Sequence, residues 1–133
     1  MRAARTLIAF VGAALSASGT AAGACREDAS AGACFSIHGR LAAGKGSSAV
    51  RLWIVGTQRT LALSPDDPAQ LEPACLREDV ADGKRLYADF VVCPLAPDRA
   101  GTIRPMCIQS ASHRIVEEPN GDARAVAAAC TAP

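Results

Sequence analysis

Between residues 34 and 56 apolar and polar side chains alternate one by one, a period that only extended strands turn into two distinct faces. In the first arm, Cys34 to Leu41, the residues Phe35, Ile37 and Leu41 share one side, and Ser36, His38 and Arg40 share the other. In the second arm, Val50 to Gly56, Val50, Leu52 and Ile54 face one way, and Arg51, Trp53 and Val55 the other. The stretch from Ala42 to Ala49 between them is rich in Gly and Ser, which favour a turn. The pattern predicts a β-hairpin with one buried face.

The alternation recurs downstream. Thr60-Leu61-Ala62-Leu63 reads as a third short strand after the turn at 56–59, completing an antiparallel meander. Pro65 and Pro68 then break it, and residues 69–83 form a polar excursion with room for one helical turn at 69–72. Arg85 to Cys93 is a second long strand, with Leu86, Ala88, Phe90 and Val92 on one face. Residues 102–109 read as a strand in their second half, with Met106 and Ile108 on one face and Cys107 on the other. A separate short strand is expected over 113–117. The alanine-rich 119–133 segment reads as a C-terminal tail or short helix. The expected fold is therefore all-β: a small antiparallel β-sandwich or partly closed barrel, occupying residues 34–118 behind a lead-in loop at 25–33.

The start of the chain has the three-part layout of a secretory signal peptide. A basic Met1–Arg5 precedes an apolar stretch from Thr6 to Leu15, and small residues end in Ala22-Gly23-Ala24. Cleavage after Ala24 leaves a 109-residue chain with 12 basic and 13 acidic residues. Such a balance excludes broad electrostatic attraction to nucleic acid or anionic membrane. No later stretch is long and apolar enough for a membrane span. Cys25 follows the cut directly, as in a bacterial lipoprotein signal, but Ala22 stands where Leu is usual, which speaks against a lipid anchor.

Six cysteines remain in the exported part: Cys25, Cys34, Cys75, Cys93, Cys107 and Cys130. An even count in a small exported domain reads as a disulfide framework, with fifteen pairings open to it. The bridges have a physical purpose, because Phe35, Trp53, Tyr87 and Phe90 are the only aromatics after residue 24 and alanine buries little area. Cys93 and Cys107 lie on adjacent predicted strands and form the favoured pair. Cys25–Cys34 and Cys75–Cys130 complete that set. No Cys-x-x-Cys spacing supports a metal site, and no motif asks for a cofactor.

Candidate functional residues are few. His38, Arg40 and Asp89 can meet on the polar face as acid–base group, anion clamp and orienter. The competing reading is a solvated sheet face with cross-strand charge pairing. Trp53 lies opposite the apolar face of its strand. It is either half-buried in a closed or central arrangement, or an exposed aromatic for a partner. The Gly-Lys-Gly-Ser-Ser stretch at 44–48 lacks phosphate-loop spacing, and no Gly-x-Ser-x-Gly exists. Enzymatic function is accordingly not expected.

The segments 34–41 (CFSIHGRL), 50–57 (VRLWIVGT), 87–94 (YADFVVCP) and 106–111 (MCIQSA) together resemble an uncharacterised family of small exported proteobacterial proteins. That resemblance spans residues 34–116. It implies a bacterial envelope protein and carries no catalytic residues. The hairpin also resembles the opening strands of transthyretin-like and carboxypeptidase-regulatory-like sandwiches, which favours a sandwich over a five-stranded Greek-key barrel. The expected function is an exported, periplasmic or secreted, non-enzymatic binding or accessory module. It would engage another envelope component through Trp53, His38 and Arg40. A secreted inhibitor of a hydrolase, acting through the 94–106 loop, and a small hydrolase using His38 and Asp89 are the alternatives.

Overall fold

The structure, a computed structural model, describes residues 25, 30–44, 49–63 and 73–131. The expected signal segment, the tip of the hairpin turn and the helical turn expected at 69–72 lie outside the described residues. Seven strands follow in order with one short helix: β1 Phe35–Ala43, β2 Val50–Ile54, β3 Thr60–Leu63, α1 Ala74–Asp79, β4 Arg85–Pro94, β5 Pro105–Glu117, β6 Ala123–Val126 and β7 Cys130–Thr131. A 3-10 turn at Ala81–Gly83 joins α1 to β4. The chain is mostly antiparallel β, as its alternation predicts. No helix of the described residues is long and apolar enough to cross a membrane.

The ladders run in a cycle. β1 pairs antiparallel with β2 on one side and with β4 on the other. β2 pairs with β3, and β4 with β5. β3 then meets β5 in parallel through Ala62↔Pro105 and Leu63↔Met106. Going round, the order is β1-β2-β3-β5-β4 and back to β1, with α1 between β3 and β4 in sequence. β6 and β7 pair with β5 outside that cycle.

The faces read from alternation are the faces observed. Leu41, Leu52, Leu61, Leu63, Leu86, Ala88, Phe90, Val92, Met106 and Ile108 form one buried cluster, joined by Leu76 of α1 and by Val80 at its C-terminal end. Phe35 departs from it, at 37% exposure near the end of β1. Gly39 lies on the inner face of β1, where a Cβ would come within 2.7 Å of Leu52 Cδ1 and 3.2 Å of the Trp53 carbonyl oxygen. A side chain there would force β1 and β2 apart, so the close approach requires glycine.

β5 differs from the expectation of two strands, because residues 105–117 form one strand with two irregularities. Tyr87 and Asp89 oppose Ile115 and Ser112, and Val91 and Val92 oppose Ser110 and Ile108, so one extra β5 residue enters each time. Each bulge shifts the inward phase: Met106 and Ile108 point in, then Ala111, then Val116. Strict alternation cannot follow such a strand. The C-terminal segment, expected as a tail or helix, instead adds β6 and β7 to β5. The exposed side of β5 offers unpaired backbone groups to it, and a ladder satisfies them where a helix would not.

Three disulfides tie the fold: Cys25–Cys107, Cys34–Cys93 and Cys75–Cys130. The third is the pair expected. The expected Cys93–Cys107 and Cys25–Cys34 bonds are not formed. Cys93 and Cys107 are indeed direct register partners, but β4 has a neighbour on each side. On the β1 side, Phe35↔Val92 brings Cys34 next to Cys93, with a Cα–Cα distance of 4.1 Å. Cys93 bonds that neighbour, and Cys107 takes Cys25 from the lead-in segment. With its sulfur in a disulfide, Cys25 cannot carry a thioether-linked lipid. The native bonds span 82, 59 and 55 residues, and each taken singly removes about 4 kcal/mol of unfolded-state entropy in the loop-closure picture.

α1 is held by a buried ion pair. Asp79 (7% exposed) accepts from Arg114 (5% exposed), whose Nε and Nη2 also donate to the Ala128 carbonyl at 3.2 and 3.0 Å. Removing one partner strands the other charge in the interior. Asp79→Ala is expected to destabilise the protein by about 3–5 kcal/mol in denaturant titration, and a change under about 0.5 kcal/mol would contradict the buried pair. The register makes a second prediction. In the Cys25→Ser/Cys34→Ser double variant, Cys93 and Cys107 are left facing each other and should oxidise together, which peptide mapping by mass spectrometry will reveal. Two free thiols there would contradict the β4–β5 register.

Candidate functional site

Outward-facing residues on neighbouring strands line up in rows, because register partners share a face. One row crosses the sheet as Thr60 (β3), Trp53 (β2), Arg40 (β1), Tyr87 (β4) and Ile115 (β5). The next row toward the β1–β2 turn contains Ala62, Arg51, Ala42 and Arg85. Between the rows lies a groove of about 390 Å³ lined by Arg40, Ala42, Arg51, Trp53 and Thr60.

The groove is built from locally fixed parts. The Trp53 indole N–H donates to the Thr57 carbonyl at 2.7 Å. Thr57 in turn caps its own turn: its hydroxyl donates to the Ile54 carbonyl at 2.8 Å and accepts from the Arg59 amide at 3.0 Å. Gly56, at φ +81°, lets the chain reverse between β2 and β3. The indole is thereby held in one orientation, and Trp53 is half-buried. Over its ring stands the Arg40 guanidinium, 4.9 Å from the centroid. A cation over an indole face is stabilised by the ring quadrupole, by about 0.5–1 kcal/mol at an exposed site. The Arg40 Nε is buried and has no hydrogen-bond partner among the described residues.

Charge is distributed unevenly around this groove. Arg59 pairs with Asp98, Arg85 with Glu117 and Arg114 with Asp79. Among the described residues, neither Arg40 nor Arg51 has a carboxylate partner, and no acid lines the groove.

A second polar cluster lies two residues along β1. His38 Nδ1 is 2.8 Å from Asp89 Oδ1, and His113 Nδ1 is 2.9 Å from Asp89 Oδ2. One carboxylate thus holds two imidazoles through the same type of nitrogen. His38 arrives by ordinary register with Asp89. His113 arrives because it is an extra residue at a β5 bulge, with φ +50°, a left-handed conformation uncommon outside glycine. The hydrogen bond from His38, then that from His113, holds the Asp89 carboxyl below the usual carboxylate range. Among the described residues no hydroxyl or thiol is hydrogen-bonded to either ring.

The expected cluster of His38, Arg40 and Asp89 therefore divides. His38 and Asp89 do meet, while Arg40 turns to Trp53 instead. Trp53 and Arg40 share the groove, and His38 belongs to the neighbouring cluster. Arg51 and Thr60 do not stand out in the sequence, although alternation puts Arg51 on the Trp53 face. His113 carries no usable signal there, because its place depends on a bulge. The sulfurs of Cys25, Cys93 and Cys107 lie within 4.8 Å of one another, but all three are in disulfides and offer no thiolate to a metal. The 94–106 loop is flanked by Cys93 and Cys107 without being closed by them. It is tied down by Leu95 N–H to the Pro105 carbonyl, Arg104 Nε–H to the Ala96 carbonyl, and the Arg59–Asp98 pair.

A depressed carboxyl pKa contributes stability that is present above the unfolded-state value and lost as pH falls through the folded one. Asp89→Asn should therefore be less stable than the wild type at pH 5, and the gap should close as the pH is lowered below about 4 toward the folded-state value. Thermal melts at a series of pH values will show this, and a gap that widens on acidification would contradict it. Comparison with protein-family models, with curated proteins and with solved structures finds no match to this chain.

Proposed function

We propose that this chain is an exported, non-enzymatic binding module whose working surface is the outer face of β1, β2 and β3, centred on Trp53 and Arg40. The observation that carries the reading is the groove beside the locked indole, where two arginines lack carboxylate partners among the described residues. Export is supported by the signal-like residues 1–24 and by cysteines that are all paired among the described residues.

The strand cycle supports the same reading. We take the ladders as a partly closed five-stranded Greek-key barrel, with the helix between its third and fourth strands, rather than a sandwich. In barrels of that kind the outer face around the second and third strands commonly receives ligands. The groove spans β1, β2 and β3 there, on the half of the sheet away from β6 and β7.

A photo-crosslinking residue at Ala62, beside the groove, tests the reading in the bacterium that exports the chain. Adducts are expected from Ala62, reduced by Trp53→Ala and absent when the same probe sits at Ala125 on β6. Equal adducts at both positions, or adducts indifferent to Trp53→Ala, would overturn it.

A further inference from the structure

We infer that the groove is a site for a carboxylated glycan, with the acid held by Arg40 and Arg51 and a sugar ring lying against Trp53. The inference rests on the proposed binding face and names the chemistry that fits it.

The charge pattern points to an anion. Arg40 and Arg51 both line the groove, no acidic residue lines it, and neither arginine has a carboxylate partner among the described residues. A guanidinium presents a planar fork of donors that matches a carboxylate in two-point contact. Arg40 is pre-ordered for this by its stacking on Trp53, so less rotamer entropy is lost on binding.

The remaining lining selects among anions. Ala42 makes a shallow floor, the Thr60 hydroxyl adds a small donor–acceptor, and the indole supplies an apolar surface. About 390 Å³ accommodates a sugar ring or two, and the groove is open rather than enclosed, so a chain can continue past it. Addition of a peptide as an extra strand is disfavoured, because at the groove both β1 and β2 are already paired on both sides. Nucleic acid is disfavoured by a net charge near −1 after residue 24, which gives no long-range attraction to a polyanion.

Trp53 is the only tryptophan in the chain and so reports on its own site. The test titrates the oxidised protein with tetragalacturonate and follows Trp53 emission, with uncharged cellotetraose and inorganic phosphate as comparison probes. Saturable quenching or enhancement is expected with tetragalacturonate, weakened by about tenfold with cellotetraose and by raising the salt to about 0.5 M. Arg40→Gln and Arg51→Gln should each weaken binding by about tenfold, as loss of a charge-assisted hydrogen bond implies. Arg124→Gln, on β6 and away from the groove, should not weaken it. Disulfide mapping of each variant by mass spectrometry, with a matching circular dichroism spectrum, establishes that it folds.

Equal affinity for the neutral tetrasaccharide, or binding indifferent to both arginine substitutions, would overturn the inference. Phosphate binding as tightly as the uronate would overturn the glycan assignment in favour of a simple anion site. Absence of glycan binding while Ala62 adducts persist in cells would retire the carboxylated glycan and leave the binding face standing.

Discussion

Two residue pairs join the third strand to the fifth, and the rest of the architecture depends on that short parallel contact. Ala62 and Leu63 oppose Pro105 and Met106, reinforced by the Ala62 amide donating to the Arg104 carbonyl at 3.1 Å. Without it β3 and the first residues of β5 are left as free edges. With it, every strand from β1 to β5 has two neighbours, and inward side chains of all five meet in one cluster. A parallel pairing is somewhat weaker per residue than an antiparallel one, and two residue pairs make a small ladder. The closure must therefore be supported from elsewhere.

The disulfides and the helix supply that support. Cys25–Cys107 and Cys34–Cys93 fasten the lead-in segment and β1 to the β4–β5 end where Pro94 and Met106 are paired. Cys75–Cys130 joins α1 to β7, and the Arg114–Asp79 pair joins α1 to β5. A chain whose described core contains one fully buried aromatic, Phe90, has limited apolar area to set against chain entropy. Long covalent loops reduce the entropy that must be offset, and they do so most when they join distant parts of the chain. The observed pairing has that property; the local pairing of Cys93 with Cys107 would close a loop of 14 residues and leave the lead-in segment untied.

Side-chain alternation makes the inner face legible in the amino-acid order itself. It places Leu41, Leu52, Leu61, Leu86, Phe90 and Met106 on apolar faces, and all six are buried. Alternation describes one strand at a time, however. It cannot say that β1 lies between β2 and β4, and so it cannot show that Cys93 has a second cross-strand neighbour. It fails outright where a bulge inserts a residue, which is why β5 reads as two strands and why nothing in the sequence sets His113 beside Asp89. The alanine-rich end misleads for a related reason. Helix propensity is local, while the demand of an unpaired strand edge is not. Of the candidate site, Trp53 is legible because a large aromatic on the outward face breaks the expected pattern, and Arg40 because alternation puts it on the polar face. Their stacking is not, because it depends on register between strands.

The two polar features on the outer face are neighbours with opposite characters. In the His38–Asp89–His113 cluster a carboxylate is shared between two partners, so its charge is already engaged and its hydrogen-bonding capacity largely used. In the groove two cations have no acid among the described residues, and one of them holds a buried donor with no acceptor. On the proposed reading, a ligand that brings a negative charge meets two guanidinium groups that have no carboxylate partner among the described residues. The locked indole removes part of the entropic cost of that encounter. On the proposed reading these features make the groove, rather than the histidine cluster, the binding face.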